Sequence, residues 1–260
     1  MAYRSPPLSL SLLHASERPR VRSIPTCSPC CPRRVASTGL VERGTRIAAM
    51  DDAGQVTQEH LAYAAKLFQW GQALNRHCTL CNIGLGDVLL RLEQTTHAEA
   101  AMRSQIRLLP GDTDAHFALG IALGKQKRHD EAIDAYEQGL SINAEDAEAY
   151  LNLATSLSHK GAHEREAAAY RHAVRLKPDH ALGWMNLGGC LALDLTRPNE
   201  AIGAYRAAAR AFASAGRQGE AVRHFRVLER AATQKRRPEY APLAAALGEL
   251  ARGETNKEEL

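Results

Sequence analysis

From about Thr57 onward the apolar residues recur at intervals of three and four, the spacing that places side chains on one face of an α-helix. Leu61, Tyr63, Ala64, Leu67, Trp70 and Leu74 follow this rule and predict a leading helix over 56–78. Beyond Thr79 the pattern repeats. Leu85-Gly86, Leu119-Gly120, Leu153-Ala154 and Leu187-Gly188 each lie 34 residues apart, and Leu89, Leu123, Leu157 and Leu191 follow four residues behind. Pro110, Ala144 and Pro178 keep the same interval. A fixed period in independent columns is the mark of a stacked repeat architecture.

Each period predicts two helices. Tyr150, Leu153, Ala154 and Leu157 form one face of a first helix, and Gly161 can end it in a left-handed cap. Ala167, Tyr170 and Ala173 mark a second helix, stopped at Leu176-Lys177 because Pro178 disfavours helix at the residue before it. The small residues Gly86, Gly120, Ala154 and Gly188 suit a close helix crossing; Tyr136, Tyr170 and Tyr205 are large enough to fill the gap to the next unit. The expected architecture is all-α, a right-handed α–α superhelix of four units at 79–112, 113–146, 147–180 and 181–215. Capping helices follow over 216–252 and a polar tail over 253–260. A departure is visible in the fourth unit, where Leu193–Asn199 carries one extra residue before Ala201. Glu166 stands in the column of Ala132, and the first unit has Asn82 and Met102 in its aromatic columns. Ala201, Ile202 and Tyr205 read as the second helix of the fourth unit, although Tyr205, Ala209, Phe212 and Phe225 also fit a fresh unit over 202–235.

The sets His116-x-x-Leu119-Gly120-x-x-Leu123 with Ala132 and Tyr136, Tyr150-x-x-Leu153-Ala154 with Tyr170 and Pro178, and Trp184-x-x-Leu187-Gly188 resemble the tetratricopeptide repeat family. The resemblance covers 79–215 and implies a non-enzymatic scaffold or adaptor that holds an extended peptide or protein segment in its concave groove. The stretch Tyr170 to Asp179 is also similar to repeats of the O-linked N-acetylglucosamine transferase family, whose asparagine ladder Asn152 and Asn186 resemble. No catalytic domain of that kind follows, so its activity does not carry over.

Helical geometry indicates which residues would face a ligand. The packing face of the third unit's first helix centres on Tyr150 and Leu157, so Asn152, Thr155 and His159 point the other way, with Leu151 at the margin. Equivalent columns add Phe117, Ile121 and Lys125 from the second unit and Met185 and Asn186 from the fourth. Amides can donate and accept at once, which suits the backbone of an extended peptide. Asn152 and Asn186 therefore read as backbone contacts, or as solvated polar residues. Phe117, Ile121, Leu151 and Met185 read as apolar contacts. Chaperone-binding tetratricopeptide domains clamp a terminal carboxylate with Lys and Asn; here Ile83, Asp87, Phe117 and Ile121 stand in those columns, so an acidic tail is poorly served.

Composition changes the picture mainly at the N-terminus. The chain of 260 residues carries +4 overall, but residues 1–49 hold eight arginines against two acids, leaving the remainder at −2. Six of the eleven prolines also lie there, with seven serines. Residues 1–55 are therefore expected to be a disordered basic tail. It reads either as an organellar transit peptide or as the product of a start assigned upstream of Met50. Tyr3 is its one aromatic, which does not make a nucleic-acid site. No apolar run reaches membrane-spanning length, and a cytoplasmic location is expected unless the tail directs import.

Candidate chemistry is sparse. Cys27/Cys30, with Cys31, and Cys78/Cys81 form two Cys-x-x-Cys pairs that could hold zinc, but they are far apart, and Cys81 reads better as buried or idle. They leave open an alternative, a regulatory or substrate-recruiting part of a glycosyltransferase-like or thiol- or metal-linked enzyme system. Gly120 to Gln126 has the wrong spacing for a phosphate loop, and His163-Glu164 lacks the second histidine of a zinc-protease motif. Cys190 reads as a small packing residue, and Lys257 to Leu260 is similar to a retrieval signal without a convincing signal peptide to match. The residues thus predict no catalytic set, no metal and no cofactor.

Overall fold

A computed structural model describes residues 32–49, 57–194, 196–234 and 240–252. Among them the chain is helical, with no strand. The helices are α1 (Pro32–Ala49), α2 (Gln58–Leu74), α3 (Thr79–Arg91), α4 (Thr95–Leu108), α5 (Thr113–Lys125) and α6 (His129–Ile142). They continue as α7 (Ala147–His159), α8 (His163–Leu176), α9 (Ala181–Gly189), α10 (Pro198–Ser214), α11 (Gln218–Gln234) and α12 (Ala241–Arg252). Consecutive helices pack on one another, and the pairs α3/α4, α5/α6, α7/α8 and α9/α10 fall within the bounds expected for the four units. At the C-terminal end α12 packs on both α11 and α10. Met50, Cys27, Cys30, Cys31, the segment 1–31 and the tail 253–260 lie outside the described residues.

The 34-residue period is written into the helix ends. Each first helix opens on a residue whose side chain accepts from the amide three positions on, satisfying one of the unpaired N–H groups of the first turn. Asp112 accepts from Ala115 at 3.2 Å, Asp146 from Ala149 at 2.8 Å and His180 Nδ1 from Gly183 at 2.9 Å. Cys78 Sγ occupies the same place before α3, taking the Cys81 amide at 3.2 Å. Each first helix closes with a left-handed residue: Glu93, Lys127 and Gly161 have φ of 59°, 63° and 69°. The amide that follows reaches back to the repeated leucine, Gln94 to Leu89 O at 2.9 Å, Arg128 to Leu123 O at 3.0 Å and Ala162 to Leu157 O at 3.0 Å.

The fourth unit repeats this closure with one more residue. Thr196 takes the left-handed position with φ 54°, and Arg197 N bonds Leu191 O at 2.7 Å. The surplus residue is absorbed by a π-helical turn, Cys190–Asp194, which widens the helix locally and keeps both flanking columns in register. The Tyr240 hydroxyl, arriving from the start of the last helix, donates to Ala192 O in this turn at 2.7 Å.

Small and large residues interlock within each unit. A Cβ placed on Gly120 would lie 2.7 Å from the Tyr136 ring, and one on Gly188 would lie 2.7 Å from Tyr205. Thus the tyrosines pack back onto the small residue of their own unit. Burial pushes the phenols of Tyr136 and Tyr205 well above their ordinary range. The first unit, which lacks an aromatic pair, uses Met102 against Gly86 and a chain of amides instead. Gln72 Nε2 donates to Asn82 Oδ1 at 2.6 Å, Asn82 Nδ2 to Gln105 Oε1 at 3.2 Å, and Gln105 Nε2 to Asp112 Oδ2 at 2.6 Å. Asn82 and Gln105 are buried, so this pairing removes the penalty for placing amides in a core.

The stretch 32–49 corrects the expectation of a tail without structure. It forms α1, which packs on α2 and α3. Gly44 of α1 and Gly84 of α3 leave room for the buried ring of Phe68, and Arg91 Nη1 donates to Ala48 O at 2.8 Å. The prolines that argued against order end at Pro32, and 33–49 has none, so the average over the tail concealed a helix-compatible segment.

Candidate binding cleft

A cavity of about 550 Å³ opens beside part of the expected ligand face. It is walled by the end of α7, by α8 and α9, and by α11 on the far side. Thr155 and His159 enter from α7, Met185 and Asn186 from α9, and Glu166 and Tyr170 from α8. His224, Val227 and Leu228 form the α11 wall. Leu182 and Val227 remain 42 % and 66 % exposed, which leaves apolar surface at the rim for another molecule to cover. Among the described residues the lining contains no Lys or Arg.

Inside the cleft the polar groups are tied together. The Thr155 hydroxyl donates back to Leu151 O of its own helix at 3.0 Å, and burial holds the Tyr170 phenol above its ordinary range. His163 Nδ1, at the first turn of α8, lies 3.0 Å from Glu166 Oε2. Cys190 is a buried thiol outside any disulfide, with its Sγ 3.4 Å from His163 O.

Of the nine residues expected to contact a ligand, Thr155, His159, Met185 and Asn186 come together here. Phe117 does not: it is buried in the core, its ring filling the space above Gly139, and it is withdrawn as a ligand contact. Leu151 is half-buried, and its Cδ2 would lie 3.2 Å from a Cβ on Gly183, so it serves the junction between units. Ile121 is half-buried against the core and Lys125 is exposed, both away from this cavity. Asn152 is half-buried and does not line it either. Sequence reasoning missed Glu166 as a lining group although it had marked that column as irregular. It missed His224, Val227 and Leu228 because α11 reads as a cap, and nothing in its own spacing says that it also forms a wall.

Three overlapping stretches, 83–144, 118–181 and 167–216, match the tetratricopeptide repeat family and together span just over half of the chain. The chain belongs to the tetratricopeptide repeat family. Solved structures of the same fold extend over most of its described helices. Residues 41 to the end of MamA from Desulfovibrio magneticus RS-1 superpose with a TM-score of 0.61 at 17 % identity, covering 71 % of this tetratricopeptide repeat protein and 97 % of that chain. TTC0263 from Thermus thermophilus gives 0.55 at 18 %, covering 74 % and 99 %. YrrB, described as a tetratricopeptide repeat protein with an unusual peptide-binding site, gives 0.54 at 17 %, covering 68 % and 92 %. Comparison with curated proteins finds no match.

Cys81 is fully buried, one of the two readings expected for it, and it is joined to Cys78 as a disulfide with the Cα atoms 5.2 Å apart, so neither sulfur is free as a metal ligand in this state. No described helix is long and apolar enough to cross a membrane.

Proposed function

We propose that the protein is a non-enzymatic adaptor that holds an extended peptide segment in the cleft between its third and fourth units and α11. The observation that carries this reading is the combination of an apolar rim at Leu182 and Val227 with a preformed polar floor. Thr155, Glu166, Tyr170 and Asn186 supply that floor from three helices already packed together, which spares ordering costs on the protein side. Asn186, rather than an Asn152–Asn186 ladder, is the amide placed to meet a peptide backbone. The lack of Lys or Arg among the described lining residues favours an uncharged, partly apolar segment over an acidic tail or a nucleic acid. That YrrB, of the same fold, is described as having a peptide-binding site is in keeping with this use of the scaffold.

The test is selection from a displayed random-peptide library on the full chain, followed by titration of enriched peptides. Leu182→Asp/Val227→Asp should weaken them at least tenfold while the helical melting curve stays unchanged. Equal binding to this variant would remove the cleft from the account.

A further inference from the structure

We propose that His163, Glu166 and Cys190 form a binding site for a divalent transition-metal ion, Zn²⁺ by ligand chemistry, at the floor of the cleft. One ligand atom from each of the three side chains lies within 4.8 Å of the other two. Bonds of about 2.0–2.3 Å arranged tetrahedrally place ligand atoms about 3.3–3.8 Å apart, so the site closes on an ion with side-chain shifts of about 1 Å. His163 and Glu166 stand three residues apart on one face of α8, with His163 Nδ1 and Glu166 Oε2 already at 3.0 Å. Cys190 comes from the start of the π-helical turn that follows α9.

The composition of the site is the second argument. Ala98, Ala132 and Ala201, the residues in the columns equivalent to Glu166, are fully buried. In the third unit alone this column carries a carboxylate, also buried at 3 % exposure. A buried carboxylate costs several kcal/mol unless it is compensated by a partner charge or a metal. An imidazole, a thiolate and a carboxylate suit zinc, since carboxylate disfavours copper(I) and thiolate disfavours magnesium or calcium. On binding, the Cys190 thiol releases its proton to solvent as the Zn–S bond forms, and the oxidation states do not change. Glu166 and Cys190 both line the cavity, so the site borders the cleft, and three protein ligands leave a fourth coordination position for a solvent molecule. Ion binding is a property of the chain alone, and it stands or falls separately from peptide binding.

Co²⁺ is the spectroscopic probe. It is added to a chelator-stripped full chain carrying Cys27→Ser, Cys30→Ser, Cys31→Ser, Cys78→Ser and Cys81→Ser, in which Cys190 is the remaining thiol. One equivalent should produce a thiolate-to-cobalt charge-transfer band, bleached by one equivalent of Zn²⁺. Adding Cys190→Ser should abolish the band, and His163→Asn or Glu166→Gln should weaken binding at least tenfold. Absence of the band, or affinity unchanged within twofold by His163→Asn and Glu166→Gln together, overturns the site and leaves a hydrogen-bonded core cluster. If the serine background does not fold, Zn²⁺ should raise the Tm of the wild-type chain, and Cys190→Ser alone should abolish that rise. An equal rise in both likewise overturns the proposal.

Discussion

Gly120→Ala and Gly86→Ala are the same substitution in the same repeat column, and the structure predicts opposite consequences. Both replace a helix-interior glycine, so both gain about 1 kcal/mol of helix propensity. What differs is the neighbour. At Gly120 the new methyl would lie 2.7 Å from two atoms of the buried Tyr136 ring, which must retreat by roughly 0.7 Å to reach ordinary contact. A ring wedged in a close-packed interior has nowhere to go, and such overpacking costs about 1–3 kcal/mol. At Gly86 the nearest atom is closer, 2.0 Å, but it is Met102 Cε, the free end of a side chain with three rotatable bonds. That end swings aside. Gly120→Ala should therefore destabilise by about 1–2 kcal/mol, and Gly86→Ala should stay within about 0.5 kcal/mol of wild type or gain slightly. Urea titration followed by circular dichroism reads both as midpoint shifts at a common slope. Gly120→Ala/Tyr136→Leu supplies the control, because shrinking the ring should make the two losses non-additive by at least about 0.5 kcal/mol. Equal losses at Gly86 and Gly120, or additive behaviour of the double variant, would refute the reasoning from neighbour stiffness.

Other positions give further checks. Lys127→Gly relieves a left-handed conformation of a non-glycine residue and should stabilise by about 0.5–1 kcal/mol, whereas Gly161→Ala imposes one and should cost about 1 kcal/mol, both read from Tm. Asp146→Ala removes the cap from α7 and should cost about 1 kcal/mol in urea titration, with Asp146→Asn close to neutral. For Glu99, burial opposes ionisation, but hydrogen bonds from Arg103, Gln126 and Arg128 and the Arg128 charge outweigh it and hold the carboxyl below its ordinary range. A depressed folded-state value means that stability is present above the unfolded value of about 4.3 and is lost as pH falls through the folded one. Glu99→Gln should accordingly lower Tm at pH 7 and lose less than wild type between pH 5 and pH 3. A chain beginning at Met50 loses α1 and uncovers Phe68, at a cost of about 1.5–3 kcal/mol for that ring alone, seen as a lower Tm.

Much of the fold was legible because repetition multiplies weak signals. One Leu-Gly pair says little, but three with a Leu-Ala at a constant interval specify where each helix must cross its partner, and Gly120 and Gly188 do sit beneath Tyr136 and Tyr205. The extra residue before Ala201 was also visible, although its resolution as a π turn was not, since sequence gives the count without saying which hydrogen bonds stretch to hold it. α1 was hidden because it is as arginine-rich as the proline-rich stretch before it, while its stabilising contact, Phe68 in the space at Gly44, is made across the chain. The cleft was half legible. Helical phase found the faces of α7 and α9, but it could not show that Phe117 turns inward over Gly139 or that α11 closes the far wall. The grouping of His163 and Glu166 with Cys190 was out of reach for the same reason, because it joins residues from different units through a locally widened turn.

The central claim is that a peptide lies in the cleft between the third and fourth units and α11. Photo-crosslinking from a selected peptide bound to the full chain, mapped by mass spectrometry, tests it most directly. The account predicts adducts on Leu182, Met185, Val227 and Leu228 that disappear in Leu182→Asp/Val227→Asp. Adducts confined to α1 and α2, or unchanged in that variant, would contradict it.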